Sequence, residues 1–239
     1  MAEPLLATCP SCGKSFTTEV VAMYRFKFPA QRYCDMCLET EQAETDQKRA
    51  DVLLLQASIP KAYRDCSFSS FERLPGAGDA LHAATAWSTE FRQGRRPHRG
   101  LLLYGPPGGG KTHLAISVLR EAVYSQFARC LYLNVPEWLD SLRGALETGE
   151  GSASLNPRGF DILVLDDLGA ENSTDWARER IYGVLNHQAS NRSLTIATTN
   201  LAPADLPQRL GKAAASRMTS LCGPVPLDTG IDYRVRQVA

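Results

Sequence analysis

Apolar residues along the 239-residue chain fall into two kinds of run. Four short runs are apolar nearly throughout: LLLYG (101–105), CLYLNV (130–135), ILVLD (162–166) and LTIATT (194–199). Runs of this length without polar alternation fit strands buried on both faces. Between and around them lie longer segments with helical spacing. In 77–93, Leu81, Ala84, Trp87 and Phe91 recur three to four residues apart, and 113–126, 136–148, 174–188 and 209–222 also read as helices. Strand alternating with helix predicts an α/β domain with a parallel sheet covered by helices.

Upstream the pattern changes. Residues 41–57, EQAETDQKRADVLLLQA, are polar in the first half and apolar in the second, and predict a helix. IPKAYRDCSFSSFE (59–72) is turn-like with isolated aromatics, a segment suited to clamping against a larger domain. RRPHRG (95–100) is a turn that ends the preceding helix, and GEGSASLNPRG (149–159) is expected to be a mobile, solvent-facing loop. The expected organisation is a module at 1–40, a helical linker at 41–58 and the α/β domain at 59–239.

Composition narrows this only a little. Hydrophobic residues make up 44% and charged ones 22%, as in ordinary soluble domains. The 26 Lys and Arg balance the 26 Asp and Glu, so net charge neither signals nor excludes nucleic-acid binding. No stretch reaches the roughly 18 apolar residues of a membrane span. MAEPLLATCP, residues 1–10, lacks the basic region and apolar core of a signal peptide. With four of seven cysteines crowded into the first 37 residues, a reducing, cytoplasmic location is expected.

The first run with evident chemistry follows the strand at 101–105. Gly105-Pro106-Pro107-Gly108-Gly109-Gly110-Lys111-Thr112 matches G-x-x-x-x-G-K-[ST], with a strand before it and a helix, opening at His113, after it. Glycines allow a tight turn whose N–H groups face anionic oxygens, and the helix adds its positive end. Lys111 is placed to reach the β- and γ-phosphates of ATP, and Thr112 to ligate Mg2+.

Two acids, Asp166 and Asp167, end the strand at 162–166. Asp166 is expected on the magnesium side. Asp167, diverging from it, either orients or deprotonates the attacking water or only caps the next turn. Glu171 either shares that role or sits as a solvated charge at the entrance of the helix at 174–188. The polar tip of the strand at 194–199 leads to Asn200, whose amide can bond to the water or γ-phosphate, or serve as a plain turn residue. Arg217, on the helix at 209–222, is a candidate for transition-state stabilisation offered from a neighbouring subunit, against a solvated arginine. Arg234 and Arg236 can face nucleotide, DNA or solvent.

The cysteines form two C-x2-C knuckles, Cys9 with Cys12 and Cys34 with Cys37, and four thiolates complete a tetrahedral Zn2+ site. Metal binding would supply the ordering energy that so short a segment lacks. A redox role for one C-x-x-C is the alternative. Lys14, Arg25, Lys27 and Arg32 interleave with Phe16, Tyr24, Phe26, Phe28 and Tyr33. They either serve single-stranded nucleic acid by charge and stacking, or leave the aromatics to pack the knuckles.

GPPGGGKTHLA, LVLDDLGAENSTDWARERIYGVLN, TIATTNLAPADL and RLGKAAASRM together resemble the AAA+ ATPases of the bacterial replicative-helicase loader group, which also holds the ATPase helpers of insertion-sequence transposition. The resemblance covers roughly 59–236. It implies a P-loop core, with Asp166 assisting Mg2+, Asp167 activating water, Asn200 as sensor and Arg217 acting in trans. Many wider AAA+ relatives carry Glu where Asp167 stands. A helical lid is expected to be missing, since few residues follow the Arg217 helix, and Arg234 is a weak stand-in for a lid-borne sensor. The implied partners are a hexameric replicative helicase and single-stranded DNA, with ATP-dependent homo-oligomers and no membrane. A transposase replaces the helicase in the alternative, and a non-catalytic ATP-binding scaffold is a third reading. The cysteine-bearing N-terminus resembles loaders of the Gram-positive type, which favours the loader.

Overall fold

The computed structural model describes residues 4–23, 26–148 and 156–233. The chain divides into two compact units, Met1–Asp51 and Val52–Ala239. In the first, β1 (Leu5–Thr8) pairs antiparallel with β2 (Ser15–Thr18), and β3 (Val20–Met23) with β4 (Phe26–Pro29). These ribbons are too short to register as strands in the hydrophobic pattern. The helix expected at 41–57 starts earlier: α1 spans Asp35–Gln56 without a break, so Cys37 lies in its first turn. The segments expected as a module at 1–40 and a linker at 41–58 are thus joined by one helix, and the compact unit runs on to Asp51.

In the second unit, a 3-10 turn at Lys61–Tyr63 precedes α2 (Gly78–Arg92). There follow β5 (Gly100–Tyr104), α3 (Lys111–Gln126), β6 (Cys130–Asn134), α4 (Val135–Thr148), β7 (Ile162–Asp166), α5 (Asp175–Asn191) and β8 (Leu194–Thr199). The strands form one parallel sheet in the order β6-β7-β8-β5, as strands buried on both faces require, and a further strand, β9 (Cys222–Pro226), pairs with β5 on its free side. The sequence pattern does not predict β9, because Gly223, Pro224 and Pro226 do not read as strand. At a sheet edge proline is tolerated, since its missing N–H faces away from the ladder.

The helix expected at 209–222 is two: α6 (Leu206–Leu210) and α7 (Lys212–Leu221). Gly211 separates them at φ +86°, ψ 151°, which no helix accommodates. Leu163, Leu165, Leu168, Leu185, Leu206 and Met218 are all essentially sealed from solvent in a core that joins β7 to α5, α6 and α7. That core fixes the C-terminal ends of β5, β7 and β8 against one another. In open parallel sheets this is the rim where ligands bind, at a point where the strand order switches. Here β5 lies between β8 and β9 while its successor β6 is at the far edge.

Much of the loop expected at 149–159 lies outside the described residues, as do Tyr24, Arg25, Arg234 and Arg236. No described helix is long and apolar enough to cross a membrane.

Candidate nucleotide site and cysteine cluster

β5 delivers the phosphate loop and α3 closes it. Gly110 caps α3 at φ +92°, and a Cβ there would stand 2.7 Å from the Phe71 ring, so only glycine fits between loop and aromatic. Lys111 is buried, and its ammonium donates to the carbonyls of Gly105 (2.8 Å) and Pro106 (2.7 Å). Those bonds hold the charge over the loop, where phosphate oxygens would take it.

Asp166 is 2% exposed and is the most heavily bonded group of the site. Its Oδ1 accepts from Thr112 Oγ1 (2.9 Å) and Thr198 Oγ1 (2.6 Å), and its Oδ2 from the Tyr132 hydroxyl (2.7 Å). A buried carboxylate beside the Thr112 hydroxyl is a set of oxygen donors of the kind Mg2+ takes, so the residues present fit that ion. Burial, and then the neighbouring Asp166 carboxylate, raise the Tyr132 hydroxyl well above its usual range, which keeps it a donor.

The two aspartates diverge because the backbone turns left-handed at Asp167, φ +56°. Asp and Asn tolerate this region better than most residues. The Asp167 N–H donates to Thr198 Oγ1 (3.0 Å) and its carbonyl accepts from Ala170 N–H (3.1 Å), so the backbone does form the next turn. Its side chain meets the Asn134 amide at 3.5 Å and lines a cavity of about 510 Å³ shared with Lys111, Thr112 and Asn200.

Glu171 does not reach this cavity. It is 7% exposed, which rules out the solvated charge, and its Oε2 accepts from the Gly169 N–H at 2.9 Å. Burial raises its carboxyl above the ordinary range, against hydrogen bonds and the Arg209 charge that lower it. Arg209, not singled out in the sequence, donates to the carbonyls of Gly169 (2.7 Å) and Glu171. Together they lock the loop behind Asp167.

Arg217 is exposed on α7, whose buried residues are Ala214, Ala215 and Met218, and it does not line the cavity of its own chain. His113 lines the cavity, and its Nε2 lies 2.8 Å from the Ser67 carbonyl and 3.3 Å from Ser70 Oγ. The Phe71 ring stands edge-on to it, centroids 5.3 Å apart. Through these contacts the segment at 59–72 does clamp the domain, and Tyr63, Cys66 and Phe71 form a cavity wall that motif reading missed. Isolated aromatics in a turn-rich stretch were the available signal. Tyr233 completes the rim, its N–H donating to the Gly108 carbonyl at 3.2 Å.

In the N-terminal unit, the Sγ atoms of Cys9, Cys12, Cys34 and Cys37 lie within 4.8 Å of one another, and those of Cys12 and Cys34 are 3.6 Å apart. Tetrahedral Zn–S bonds of about 2.3 Å put sulfurs roughly 3.8 Å apart, so the four thiols fit zinc. The first knuckle is closed by Gly13 N–H to the Cys9 carbonyl (2.9 Å) and Cys9 N–H to the Lys14 carbonyl (2.9 Å). Burial raises the Cys9 thiol, but hydrogen bonds with the backbone of Cys34, Cys12 and Ser11 outweigh it and bring it to about 6. Hydrogen bonds with the Cys12 and Cys34 side chains push Cys37 up to about 12. Arg32 stacks over its neighbour Tyr33, guanidinium carbon to ring centroid 5.8 Å.

Comparison with known proteins agrees with this geometry. The family described as IstB-like ATP binding protein matches residues 17–222. The replicative helicase loader DnaI of Bacillus subtilis (strain 168) is 33% identical over 110 residues, 45% of this chain and 35% of that protein. A putative insertion sequence ATP-binding protein of Sinorhizobium fredii (strain NBRC 101917 / NGR234) is 28% identical over 173 residues, 71% of this chain and 55% of that protein. The matched segment thus spans about a third to a half of these two relatives. The crystal structure of the DnaC helicase loader superposes with TM-score 0.63 at 26% identity, covering 71% of this chain and all of that one.

Proposed function

Because the chain belongs to the family of IstB-like ATP binding proteins, we propose that it is an ATP-dependent loader delivering a replicative hexameric helicase onto single-stranded DNA, and that it hydrolyses ATP where its own subunits meet. The observation that carries the hydrolytic part is the division between the two aspartates. Asp166 is immobilised by three hydroxyls, while Asp167 turns into the cavity beside Asn200.

In this reading the phosphate loop and Lys111 hold the ATP phosphates. Thr112 and Asp166 would hold Mg2+, which would supply positive charge against the phosphates. Asp167 orients the attacking water and accepts its proton, and Asn200 fixes the γ-phosphate end. Glu171 keeps the Asp167 loop in place and is no longer needed at the water. Arg217 reaches the phosphates of a neighbouring subunit, which its exposure on α7 supports. The four-cysteine zinc module would hold the helicase or assist at DNA.

A transposition helper is the second reading, favoured by the insertion-sequence relative. It predicts ATP-dependent binding to a transposase in place of the helicase. ATP turnover with DNA present, abolished in Lys111→Ala, tests the catalytic claim. ATP binding without turnover under any condition would leave a scaffold.

A further inference from the structure

The segment at 59–72 is tied to α3 by two side chains on one face of that helix. His113 and Arg120 stand two turns apart along α3. The His113 Nε2 lies 2.8 Å from the Ser67 carbonyl, and the Arg120 guanidinium donates to the Arg64 carbonyl. The segment therefore runs back along the helix, antiparallel to it. A carbonyl only accepts, so the His113 Nε2 carries the hydrogen and donates. Ser70 Oγ stands 3.3 Å from the same nitrogen.

The two ties hold different things. Arg120 does not line the nucleotide cavity, whereas His113, Ser70 and Phe71 all do. Phe71 is buried and edge-on to His113, and it meets the point where a Cβ on Gly110 would stand. One ring thus touches both the phosphate loop and the residue that holds the wall. Lys111, Thr112, Asp167 and Asn200 mark the phosphate end of the cavity. Ala62, Tyr63, Cys66 and Leu74 give the wall a mostly apolar lining, suited to a flat base and not to phosphate. His113 directly follows the phosphate-loop threonine, where a phosphate contact is expected, yet its Nε2 is engaged by the wall.

We propose that His113 is a positioning residue for a base-binding wall. Its bond to the Ser67 carbonyl sets the affinity for the nucleoside half of ATP and contributes nothing at the phosphates. The proposal rests on the reading of the cavity as an ATP site. The wall has little order of its own, only a 3-10 turn at Lys61–Tyr63 and a turn closed by Ser67 and Ser70. Without the His113 bond, Arg120 keeps the segment attached but leaves its cavity end loose. Ordering that end would then draw on the binding energy of ATP, and affinity falls.

The test is calorimetric titration of the full chain with Mg-ATP and with Mg-tripolyphosphate, which carries phosphates without sugar or base. Parent, H113A, H113N and H113Q are compared. The parent should bind ATP more tightly than tripolyphosphate. A parent that binds neither would remove the ATP reading, and this proposal with it, before any variant is compared. H113A should weaken ATP binding about tenfold or more, the scale of one lost hydrogen bond, and leave tripolyphosphate affinity unchanged. In turnover it should raise KM by the same factor and largely keep kcat. H113Q, whose amide N–H reaches the place of Nε2, should recover most of the ATP affinity. H113N, one methylene shorter, should behave as H113A does. Unchanged ATP affinity in H113A and H113N overturns the proposal. So does equal loss of both ligands, the mark of a disturbed phosphate loop, or a failure of H113Q to recover what H113A loses. A parent that binds ATP no tighter than tripolyphosphate overturns it as well, since the wall would then hold no base.

Discussion

Tyr132 carries a consequence that no motif announces. It is the third hydroxyl on Asp166, and hydrogen bonds to charged groups are worth about 1.5–3 kcal/mol. Tyr132→Phe should raise the Mg2+ concentration needed for half-maximal turnover roughly tenfold or more while leaving metal-free ATP binding unchanged, which titration of ATPase rate against Mg2+ would check. Asp167→Asn should spare ATP binding and cut turnover by about 100-fold or more, the usual scale of general-base loss. Normal turnover would remove Asp167 from its role. The phosphate loop and the aspartate pair were legible because spacing alone restricts what they do. Tyr132 was not, because a hydroxyl inside CLYLNV looks like one more strand aromatic until the register sets β6 beside β7. Glu171 misled for a related reason: an acid four residues after an aspartate pair says nothing about whether its loop folds inward.

At the scale of elements, the four apolar runs became four adjacent strands because burial on both faces leaves no other pattern. The fifth strand escaped, since prolines at an edge obey the sheet's hydrogen bonding rather than its propensity. Likewise one helical period across 209–222 concealed the break at Gly211, where backbone geometry and not side-chain spacing decides. The break orients α7, and with it Arg217. Arg217→Ala should leave ATP affinity nearly intact and abolish assembly-stimulated hydrolysis. Mixing it with Lys111→Ala should restore part of the activity, because each variant supplies what the other lacks. No recovery in the mixture would remove the trans assignment. In the N-terminal unit the ribbons bury little apolar surface, and four converging thiols are the evident source of order. Chelation should therefore unfold that unit cooperatively, visible as loss of amide dispersion for residues 4–40. The thermal transition of the α/β unit should stay in place.

For the whole molecule, the α/β unit holds the groups needed to bind ATP, but its candidate arginine lies outside its own cavity. A chain built this way should turn over ATP slowly when dilute. Turnover per subunit should rise with protein concentration, in contrast to the flat dependence of a self-sufficient monomer. The central claim is that ATP binding lets this assembly place a ring helicase on DNA. It is tested most directly by mixing the full chain with the purified replicative helicase of its own cell and closed circular single-stranded DNA, then measuring helicase retained on the circles. The account predicts retention that requires ATP and is lost in Lys111→Ala. Retention that is the same without this chain, or absent with it while ATP-dependent binding to a transposase is found, would contradict the account.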